Sequence, residues 1–212
     1  MSANVPFHGS DLEQVARYYG IPQDEIVSFS ANVNPLGISP RLRQGLIDNI
    51  DKVMSYPDRD YTELRSAISG YTGAPADRIL VGGGATEIIS LFIQKLAPKR
   101  VMLINPTYSE YGREIGLEGG ALVSYQLRQE DDFRLNVEDL CAQLDASFDL
   151  VILCNPNNPT SSAVCQDDLR HLLAHCRDNG TYLMVDETYA EFAPDLQAIT
   201  AIPLIAEFDN LL

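Results

Sequence analysis

Positive charge is scarce in this sequence, which has 15 lysines and arginines against 30 aspartates and glutamates and a formal net charge of −15. Lysine occurs only as Lys52, Lys95 and Lys99, and tryptophan does not occur at all. Binding to a nucleic acid requires clustered lysine and arginine, so this balance argues against a nucleic-acid partner. A local basic pocket for one small phosphate ester remains compatible with it.

Long apolar runs are also missing from the sequence. No stretch is long enough to span a bilayer, and no apolar run near the first residue resembles a signal peptide. The cysteines form no C-x-x-C pair and lack the histidine spacing typical of zinc; they are Cys141, Cys154, Cys165 and Cys176. We therefore expect reduced, mostly buried thiols in a cytoplasmic protein that has no metal site and no membrane partner.

Apolar runs alternate with helical patterns from Arg78 onward. The predicted strands are residues 79–81, 101–104, 121–125, 150–154 and 182–185. The predicted helices between them are residues 86–96, 109–117, 137–144 and 167–176. Such alternation is typical of a mainly parallel sheet covered by helices on both faces. The sequence therefore predicts an α/β fold with three layers, α-β-α.

The N-terminal part of the chain has a different pattern. It predicts a helix over residues 11–19 capped by Ser10 or Asp11, and a short strand over 26–29. Further helices are predicted over 41–50 and 61–71. We assign residues 1–40 to an N-terminal arm and small-domain segment, and residues 41–212 to the large domain. Residues 199–212 are apolar and resemble the lead-in to a further strand, so we expect the large domain to be incomplete at Leu212.

Two predicted strands end in polar side chains. The run LVILC leads to Asn158, and the run YLMV leads to Asp186 and Tyr189. The stretch between Asn158 and Asp186 has the length of one strand–helix–strand unit, which connects parallel strands with a right-handed crossover. Ligands of open α/β sheets bind at the carboxyl ends of the strands. We therefore expect the amide, the carboxylate and the phenol to lie near one sheet edge.

Asp186 ends a very apolar run, where a carboxylate is costly unless it has a partner. One alternative is a helix cap for the following turn; the interpretation that we favour is a cationic partner supplied by a ligand. A protonated aromatic nitrogen at ~4 Å would gain about 4 kcal/mol before desolvation at an effective dielectric constant of ~20. Protonation makes such a ring an electron sink, which is what pyridoxal phosphate chemistry needs.

The segment GGGATE at residues 82–87 is predicted to follow a strand and to open a helix, so its backbone N–H groups and the Thr86 hydroxyl can hold a phosphate. Glu87 occupies the third glycine position of the dinucleotide pattern, and no lysine follows as the Walker pattern requires. A nucleotide-dependent oxidoreductase is therefore disfavoured. The alternative for these glycines is a tight turn that uses their positive φ.

Two further loops follow predicted strands. In NPTY at residues 105–108, Tyr108 can lie flat over a planar cofactor, although a lone tyrosine more commonly has a structural role. In NPNNPT at residues 155–160, two prolines restrict φ and remove backbone donors. This stiff loop can direct the Asn158 amide at a fixed acceptor, but a purely structural turn could use similar residues.

Taken together, these residues resemble the fold-type I, aspartate-aminotransferase-like family of pyridoxal-phosphate enzymes. The resemblance implies that Ala85 and Thr86 bind the cofactor phosphate and that Tyr108 stacks on the ring. It also implies that Asn158 and Tyr189 hold the phenolic oxygen of the cofactor, pyridoxal 5'-phosphate, and that Asp186 holds its ring nitrogen. These last three residues are the predicted catalytic residues.

The resemblance also implies an assembly, namely a homodimer with shared active sites. Tyr56 resembles the tyrosine that reaches across such a dimer to the phosphate of the partner's cofactor. The resemblance therefore predicts that two copies of this chain associate and that each contributes to both sites.

Two branches of the family compete. FHG at residues 7–9 and FSANVNPLG at residues 29–37 resemble threonine-phosphate decarboxylase of cobalamin biosynthesis. In that branch His8, Gly9, Asn32 and Asn158 would contact the substrate, a phosphorylated amino acid. The other branch is histidinol-phosphate aminotransferase, whose substrate is also a phosphate monoester. The alternative for His8 is an exposed residue in a loose arm.

The sequence departs from the family pattern in three respects. Ser10 stands where the decarboxylases usually carry a second glycine, and Ser161 stands where glycine usually follows Asn-Pro-Thr. No lysine follows Asp186, although relatives hold the cofactor covalently through a lysine slightly beyond residue 212. We therefore expect this chain to bind the cofactor weakly and without turnover. The rival interpretation is a noncatalytic remnant that binds a phosphate ligand or a partner protein.

Overall fold

The computed structural model describes residues 11–29 and 32–212. The chain divides into two compact units, Met1–Asp58 and Arg59–Leu212. The assignment of residues 1–40 to an arm and of residues 41–212 to the large domain remains a prediction.

The first unit is helical in its described part. Helix α1 spans Leu12–Tyr19, and the Asp11 side chain caps it by accepting a hydrogen bond from the Gln14 backbone N–H at 3.1 Å. Helix α2 spans Pro40–Asp48 and a 3-10 helix follows over Ile50–Met54. Both predicted helices are therefore confirmed. The predicted strand over residues 26–29 is wrong: no neighbouring strand pairs with it in the described residues, and an isolated strand has no ladder to stabilise it.

The second unit is built on a four-stranded parallel sheet with the strand order β2-β1-β3-β4. The strands are β1 Arg100–Asn105, β2 Ala121–Gln126, β3 Leu150–Cys154 and β4 Tyr182–Asp186. Their apolar runs, β-branched residues and flanking turns made these strands predictable, and all four predictions are confirmed. The register places Cys154 of β3 beside Asp186 of β4, at the edge where the strands end.

Helices cover both faces of this sheet. They are α4 Ala85–Leu96, α5 Ser109–Leu117, α6 Val137–Gln143 and α7 Gln166–Asp178. The same unit contains α3 Thr62–Thr72, in which no residue is buried. Successive strand residues point to opposite faces: Val101 packs in a core with α4 and α5, whereas Met102 packs in a second core with α6 and α7. The α/β fold with three layers, predicted from the sequence, is confirmed.

The predicted strand over residues 79–81 is wrong. This segment follows a 3-10 helix, Ala76–Arg78, and pairs with no strand in the part of the chain that the structure describes. Its apolar residues satisfy the pattern of a strand, but a strand exists only where a neighbour supplies hydrogen bonds. Near the last residues, Leu211 makes an isolated parallel bridge to Leu183 of β4; the further strand expected there remains a prediction.

The described residues also give information on membrane-spanning helices and on the cysteines. Among the residues placed by the structure, no helix is long and apolar enough to cross a membrane. Cys141, Cys154 and Cys176 are buried and Cys165 is exposed, and all four are free thiols.

Candidate functional site

A cavity lies at the carboxyl edge of the sheet, where β3 and β4 end and α4 begins. Its volume is about 160 Å³, below the ~300–1,000 Å³ typical of sites for drug-sized ligands. It is lined by Ala85, Thr86, Tyr108, Tyr111, Cys154, Asn158, Asp186, Thr188 and Tyr189. Every cofactor residue that the sequence predicted within residues 59–212 is therefore part of one small cavity.

The carboxylate of Asp186 forms part of the cavity wall. The Tyr111 hydroxyl donates a hydrogen bond to Oδ2 at 2.6 Å, and Thr188 donates to Oδ1 from its backbone N–H at 2.9 Å and from its hydroxyl at 2.6 Å. A carboxylate has about four acceptor positions, so these donors leave room for one more. Among residues 11–29 and 32–212, no ion pair includes Asp186.

This arrangement is compatible with both interpretations of Asp186. The bonds from Thr188 show that the carboxylate does organise its own turn, as the capping alternative proposed. The two bonds from Thr188 use only Oδ1 of the carboxylate, while Oδ2 accepts a hydrogen bond from Tyr111 of α5. The side chain therefore serves the turn and still presents acceptor capacity to the cavity. A ring N–H is a donor that fits it.

Tyr111 is the site residue that the sequence did not reveal. It lies in α5, its side chain is completely buried, and its ring packs edge-on against Tyr108 with centroids 5.6 Å apart. Burial, followed by the negative charge of Asp186, raises the pKa of the Tyr111 phenol far above its ordinary value. The phenol therefore stays protonated and acts as the donor. Its position three residues after Tyr108, which immediately precedes α5, was the only available signal.

The loop at residues 155–160 contains a buried amide that serves the fold. Asn155 is completely buried; its Nδ2 donates to the carbonyls of Val164 and Ile199 at 3.1 and 2.9 Å, and its Oδ1 accepts from the Val164 N–H at 2.8 Å. Every hydrogen bond that this amide makes is thus to backbone. Asn155 fixes the course of the chain after β3.

A second amide connects two loops. The Asn157 Nδ2 donates to the carbonyl of Pro106 at 2.9 Å, and the Thr107 hydroxyl donates to its Oδ1 at 3.1 Å. The loops that follow β1 and β3 are thereby joined next to the cavity. Because Tyr108 is at the end of the first loop and Asn158 is in the second, Asn157 fixes their separation. Asn158 itself lines the cavity.

The glycine segment lies at the start of α4. Gly84 precedes the helix with φ of 98°, in the region that favours glycine, and the Glu87 carboxylate accepts a hydrogen bond from the Gly83 N–H. A Cβ at residue 82 would come within 2.6 Å of the Ile88 side chain. The glycines thus serve the turn, as the structural alternative held. The first N–H groups of α4 have no acceptor within the helix, so they can still bind an anion.

The remaining predicted residues lie outside this unit. Asn32 and Tyr56 belong to the first unit, where Tyr56 is 95% exposed. His8 and Gly9 lie outside the described residues. The roles proposed for these four residues stay predictions.

Residues 24–212 match the family model for "Aminotransferase class I and II". The chain belongs to this family. Its members are pyridoxal-phosphate enzymes of fold type I, so the predicted family and its cofactor, pyridoxal 5'-phosphate, are both confirmed.

Two relatives within the aminotransferase class I and II family are informative. The threonine-phosphate decarboxylase of Salmonella typhimurium is 35% identical over 187 residues, which cover 88% of this chain and 51% of the relative. The histidinol-phosphate aminotransferase of Methanococcus maripaludis is 30% identical over 213 residues, covering 99% of this chain and 56% of the relative. The chain thus spans about half the length of the curated relatives that it matches.

The solved structures in the family agree with the fold. The histidinol-phosphate aminotransferase of Clostridium acetobutylicum superposes with a TM-score of 0.77 at 27% identity, over 88% of this chain and 54% of that structure. The three-layer architecture derived above is therefore the architecture of this family.

Proposed function

We propose that this chain provides the cofactor-binding part of an enzyme that acts on a phosphorylated amino acid, with L-threonine O-3-phosphate as the substrate and decarboxylation as the reaction. The observation that carries the proposal is the Asp186 carboxylate, which lines a small cavity with one acceptor position to spare. A protonated pyridine nitrogen is the donor that suits this position. The Salmonella typhimurium relative supports the choice of substrate by its name.

Each cavity residue has a role in this proposal. When bound, the cofactor withdraws electrons from the α-carbon of an amino acid. Asp186 pairs with its ring nitrogen; at ~4 Å and a dielectric constant of ~20 the pair gains about 4 kcal/mol before desolvation. Even half of this gain favours protonation of the nitrogen by more than one pH unit. Tyr108 covers one face of the ring, and Asn158 and Tyr189 hold its phenolic oxygen.

The phosphate of the cofactor is assigned to the start of α4. Ala85 and Thr86, the first two residues of α4, line the cavity, so their backbone N–H groups and the Thr86 hydroxyl are the proposed donors. An anion at a helix N-terminus is stabilised both by these donors and by the helix dipole. The phosphate and the ring nitrogen would then be held at opposite ends of the cavity.

Binding of the cofactor tests this assignment directly. Equilibrium dialysis of pyridoxal 5'-phosphate against the 212-residue chain should show saturable binding. Asp186→Ala should weaken it by about 30-fold, which corresponds to half of the pairing energy. Asp139→Ala is the matched control, because the Asp139 carboxylate also accepts a hydrogen bond from a tyrosine, Tyr125. This variant should not change the affinity for pyridoxal 5'-phosphate. Equal affinity in Asp186→Ala and the wild type would contradict the proposal.

The mode of binding can be tested with borohydride. Lys95 and Lys99 are exposed, and neither lines the cavity. We propose that residues 59–212 hold the cofactor without a covalent bond. Treatment with borohydride should therefore leave the cofactor removable by denaturation, and a covalent adduct on Lys95 or Lys99 would overturn this point.

The reaction is tested on the complete translation product of the gene. O-phospho-L-threonine should lose CO2 and yield 1-aminopropan-2-ol O-phosphate without an added keto acid. The alternative is a histidinol-phosphate aminotransferase, which the Methanococcus maripaludis relative favours because it covers 99% of this chain. Turnover of histidinol phosphate that depends on a keto acid would establish that alternative.

A noncatalytic role is the candidate from another class. The distribution of lysine supports it, since none occurs after Lys99. In this case the protein would bind pyridoxal phosphate or another phosphate ligand, and neither substrate would be turned over. Measured binding without turnover by the complete gene product would therefore favour it over both enzymes.

We further propose a homodimer in which Tyr56 reaches the cofactor phosphate of the partner subunit. The exposure of Tyr56 supports this assignment. Light scattering should give the mass of two copies. Mixed dimers of Tyr56→Phe and Asp186→Ala chains should contain one site with both side chains intact, and so should recover one high-affinity site per dimer. Recovery of none would contradict the shared site.

A further inference from the structure

Tyr111 and Asp186 form a contact that the proposed roles above do not use. The hydroxyl of this completely buried tyrosine is 2.6 Å from Oδ2 of the carboxylate. A buried phenol needs a hydrogen-bond partner; among the described residues the Tyr111 hydroxyl donates to the carboxylate at the cavity wall, and the Cys154 thiol is a second polar neighbour. The bond from the hydroxyl to the carboxylate therefore has one of two roles: it only satisfies the buried phenol, or it also orients the carboxylate at the cavity. The distribution of the other donors separates these possibilities.

The two oxygens of Asp186 are held from two sides. Thr188, in the turn after β4, donates twice to Oδ1, and Tyr111, in α5, donates to Oδ2. If either side were missing, the carboxylate could rotate about its Cβ–Cγ bond, because terminal torsions of this type have broad minima. With both present, rotation breaks at least one bond. The remaining acceptor position thus has a fixed direction.

We propose that Tyr111 is a positioning residue, which holds the Asp186 carboxylate in the orientation that pairs with the ring nitrogen of the cofactor. This inference rests on the proposed cofactor site. It assigns Tyr111 no contact with the reacting atoms of the substrate. Loss of the Tyr111 hydroxyl should therefore weaken the binding only of ligands that contain the ring nitrogen.

The neighbouring groups do not replace Tyr111 in this role. Cys154 lies beside Asp186 in the sheet register and lines the same cavity, and burial raises the pKa of its thiol above the ordinary value, so it stays neutral. Glu187 points elsewhere, since it accepts hydrogen bonds from the Thr200 hydroxyl and the Ala201 N–H. Tyr111 is thus the neutral donor that holds Oδ2.

The chain contains a matched pair outside the cavity. The hydroxyl of Tyr125 in β2 donates to Oδ2 of Asp139 in α6 at 2.8 Å. Burial, followed by the bond to Asp139, raises the pKa of Tyr125 to about 12. Tyr125 is also buried, with 7% of its surface exposed. Tyr125→Phe therefore removes the same type of bond without touching the proposed site.

The test compares pyridoxal 5'-phosphate with an analogue that has carbon in place of the ring nitrogen. Tyr111→Phe keeps the aromatic packing and removes only the hydroxyl. It should weaken binding of pyridoxal 5'-phosphate by about 5- to 20-fold, which is less than the loss expected for Asp186→Ala because the carboxylate is still present but is no longer held in one direction. Binding of the carbon analogue should change by less than about 2-fold. Tyr125→Phe should alter neither affinity.

A second variant keeps the inference testable if Tyr111→Phe does not fold. Thr188→Val removes the hydroxyl donor to Oδ1 at an exposed position, and should produce a loss of the same kind that requires the ring nitrogen. In an Asp186→Ala background, neither Tyr111→Phe nor Thr188→Val should cause a further loss. Additive loss in that background would overturn the positioning role.

The results separate this inference from the proposed function. The wild type could bind the nitrogen-containing ligand more tightly while Tyr111→Phe has no effect on either affinity. That result would overturn the role of Tyr111 but not the proposed cofactor site. Equal losses for both ligands in Tyr111→Phe would overturn the role of Tyr111 as well, since they would mark a structural role. Equal affinity of the wild type for the two ligands would overturn both the inference and the assignment of Asp186.

Discussion

Three asparagines in one loop differ in what their amides do. The side-chain amides of Asn155 and Asn157 form hydrogen bonds within the protein. Asn155 bonds to nearby backbone groups, and Asn157 bonds to the neighbouring loop. Asn158 instead borders the cavity. In sequence the three residues are equivalent, each within a proline-rich turn. Burial and hydrogen-bond partners separate the residues that shape the loop from the one that can meet a ligand.

The largest expected effect of breaking this loop is on stability. Asn155→Ala leaves the Val164 N–H and the carbonyls of Val164 and Ile199 without their partner in a buried region, at a cost of about 3 kcal/mol or more. Urea unfolding followed by circular dichroism measures the loss. Asn136→Ala, which removes an amide that caps α6, should cost only about 1 kcal/mol. Equal losses in the two variants would contradict the structural role of Asn155.

Asn157→Ala should have a mixed effect. It releases the connection between the loops after β1 and β3, so we expect a loss of about 1–2 kcal/mol in the free energy of unfolding. Since Tyr108 and Asn158 are no longer held at a fixed separation, binding of pyridoxal 5'-phosphate should also weaken by about 3-fold or more. Thr107→Val, which removes one of the two connections, should give part of both effects. A change in stability with unaltered affinity would show that the connection does not organise the cavity.

Asn158→Ala should reverse this balance. The free energy of unfolding should stay within about 0.5 kcal/mol of the wild type, because Asn158 lines the cavity and is only partly buried. The dissociation constant of pyridoxal 5'-phosphate should increase by about 10-fold, the equivalent of one hydrogen bond. If instead the variant were destabilised as strongly as Asn155→Ala, the distinction between the two amides would be lost.

Two adjacent carboxylates extend the comparison to β4. Asp186 faces the cavity, whereas Glu187 is bound to residues 200 and 201 in a buried environment. Burial raises the pKa of Glu187 above its ordinary value of 4.5. The stability linked to the protonated carboxyl is therefore fully present below the ordinary pKa and is lost as the pH rises through the raised value.

Glu187→Gln removes this pH-dependent loss. Relative to the wild type, its free energy of unfolding should increase, which means greater relative stability, as the pH rises from about 4 to about 8. Denaturant unfolding at several pH values measures the trend, and Glu130→Gln at an exposed position provides the control. A difference from the wild type that is constant with pH would contradict the assignment.

The smallest expected effect concerns Ser161. Its φ of 61° lies in the left-handed region, so the side chain costs about 1 kcal/mol of backbone strain. Ser161→Gly removes the strain but adds freedom to the unfolded chain, and should raise the free energy of unfolding by no more than about 0.5 kcal/mol. Ser66→Gly within α3 should lower it by about 0.5 kcal/mol. A lower stability for Ser161→Gly would show that the hydroxyl makes a contribution of its own.

The sequence predicted much of the fold because its signals are local. Strands β1 to β4 are apolar runs between turn residues, and the helices between them begin and end within a few residues of their predicted bounds. The segments 26–29 and 79–81 also have strand composition, but no partner strand pairs with either among the described residues. Pairing depends on distant parts of a chain, which composition does not encode.

The cavity was predictable to the extent that its residues lie in motifs. Asn158, Asp186 and Tyr189 follow apolar strands, and a polar residue in that place is conspicuous. Tyr111 was not predictable, because a buried tyrosine in an amphipathic helix is usually part of the core. Likewise, NPNNPT contains no signal that assigns one asparagine to the ligand and two to the loop. Those distinctions follow from side-chain direction, which only the packed structure determines.

The register of β3 against β4 makes the site vulnerable to changes in length. Cys154 and Asp186 lie side by side at the end of their strands. Adjacent strand residues alternate between the two faces, so one extra codon between Thr181 and Asp186 would turn the aspartate to the α6 and α7 side. Such an insertion would remove the carboxylate from the cavity although no lining residue had been substituted.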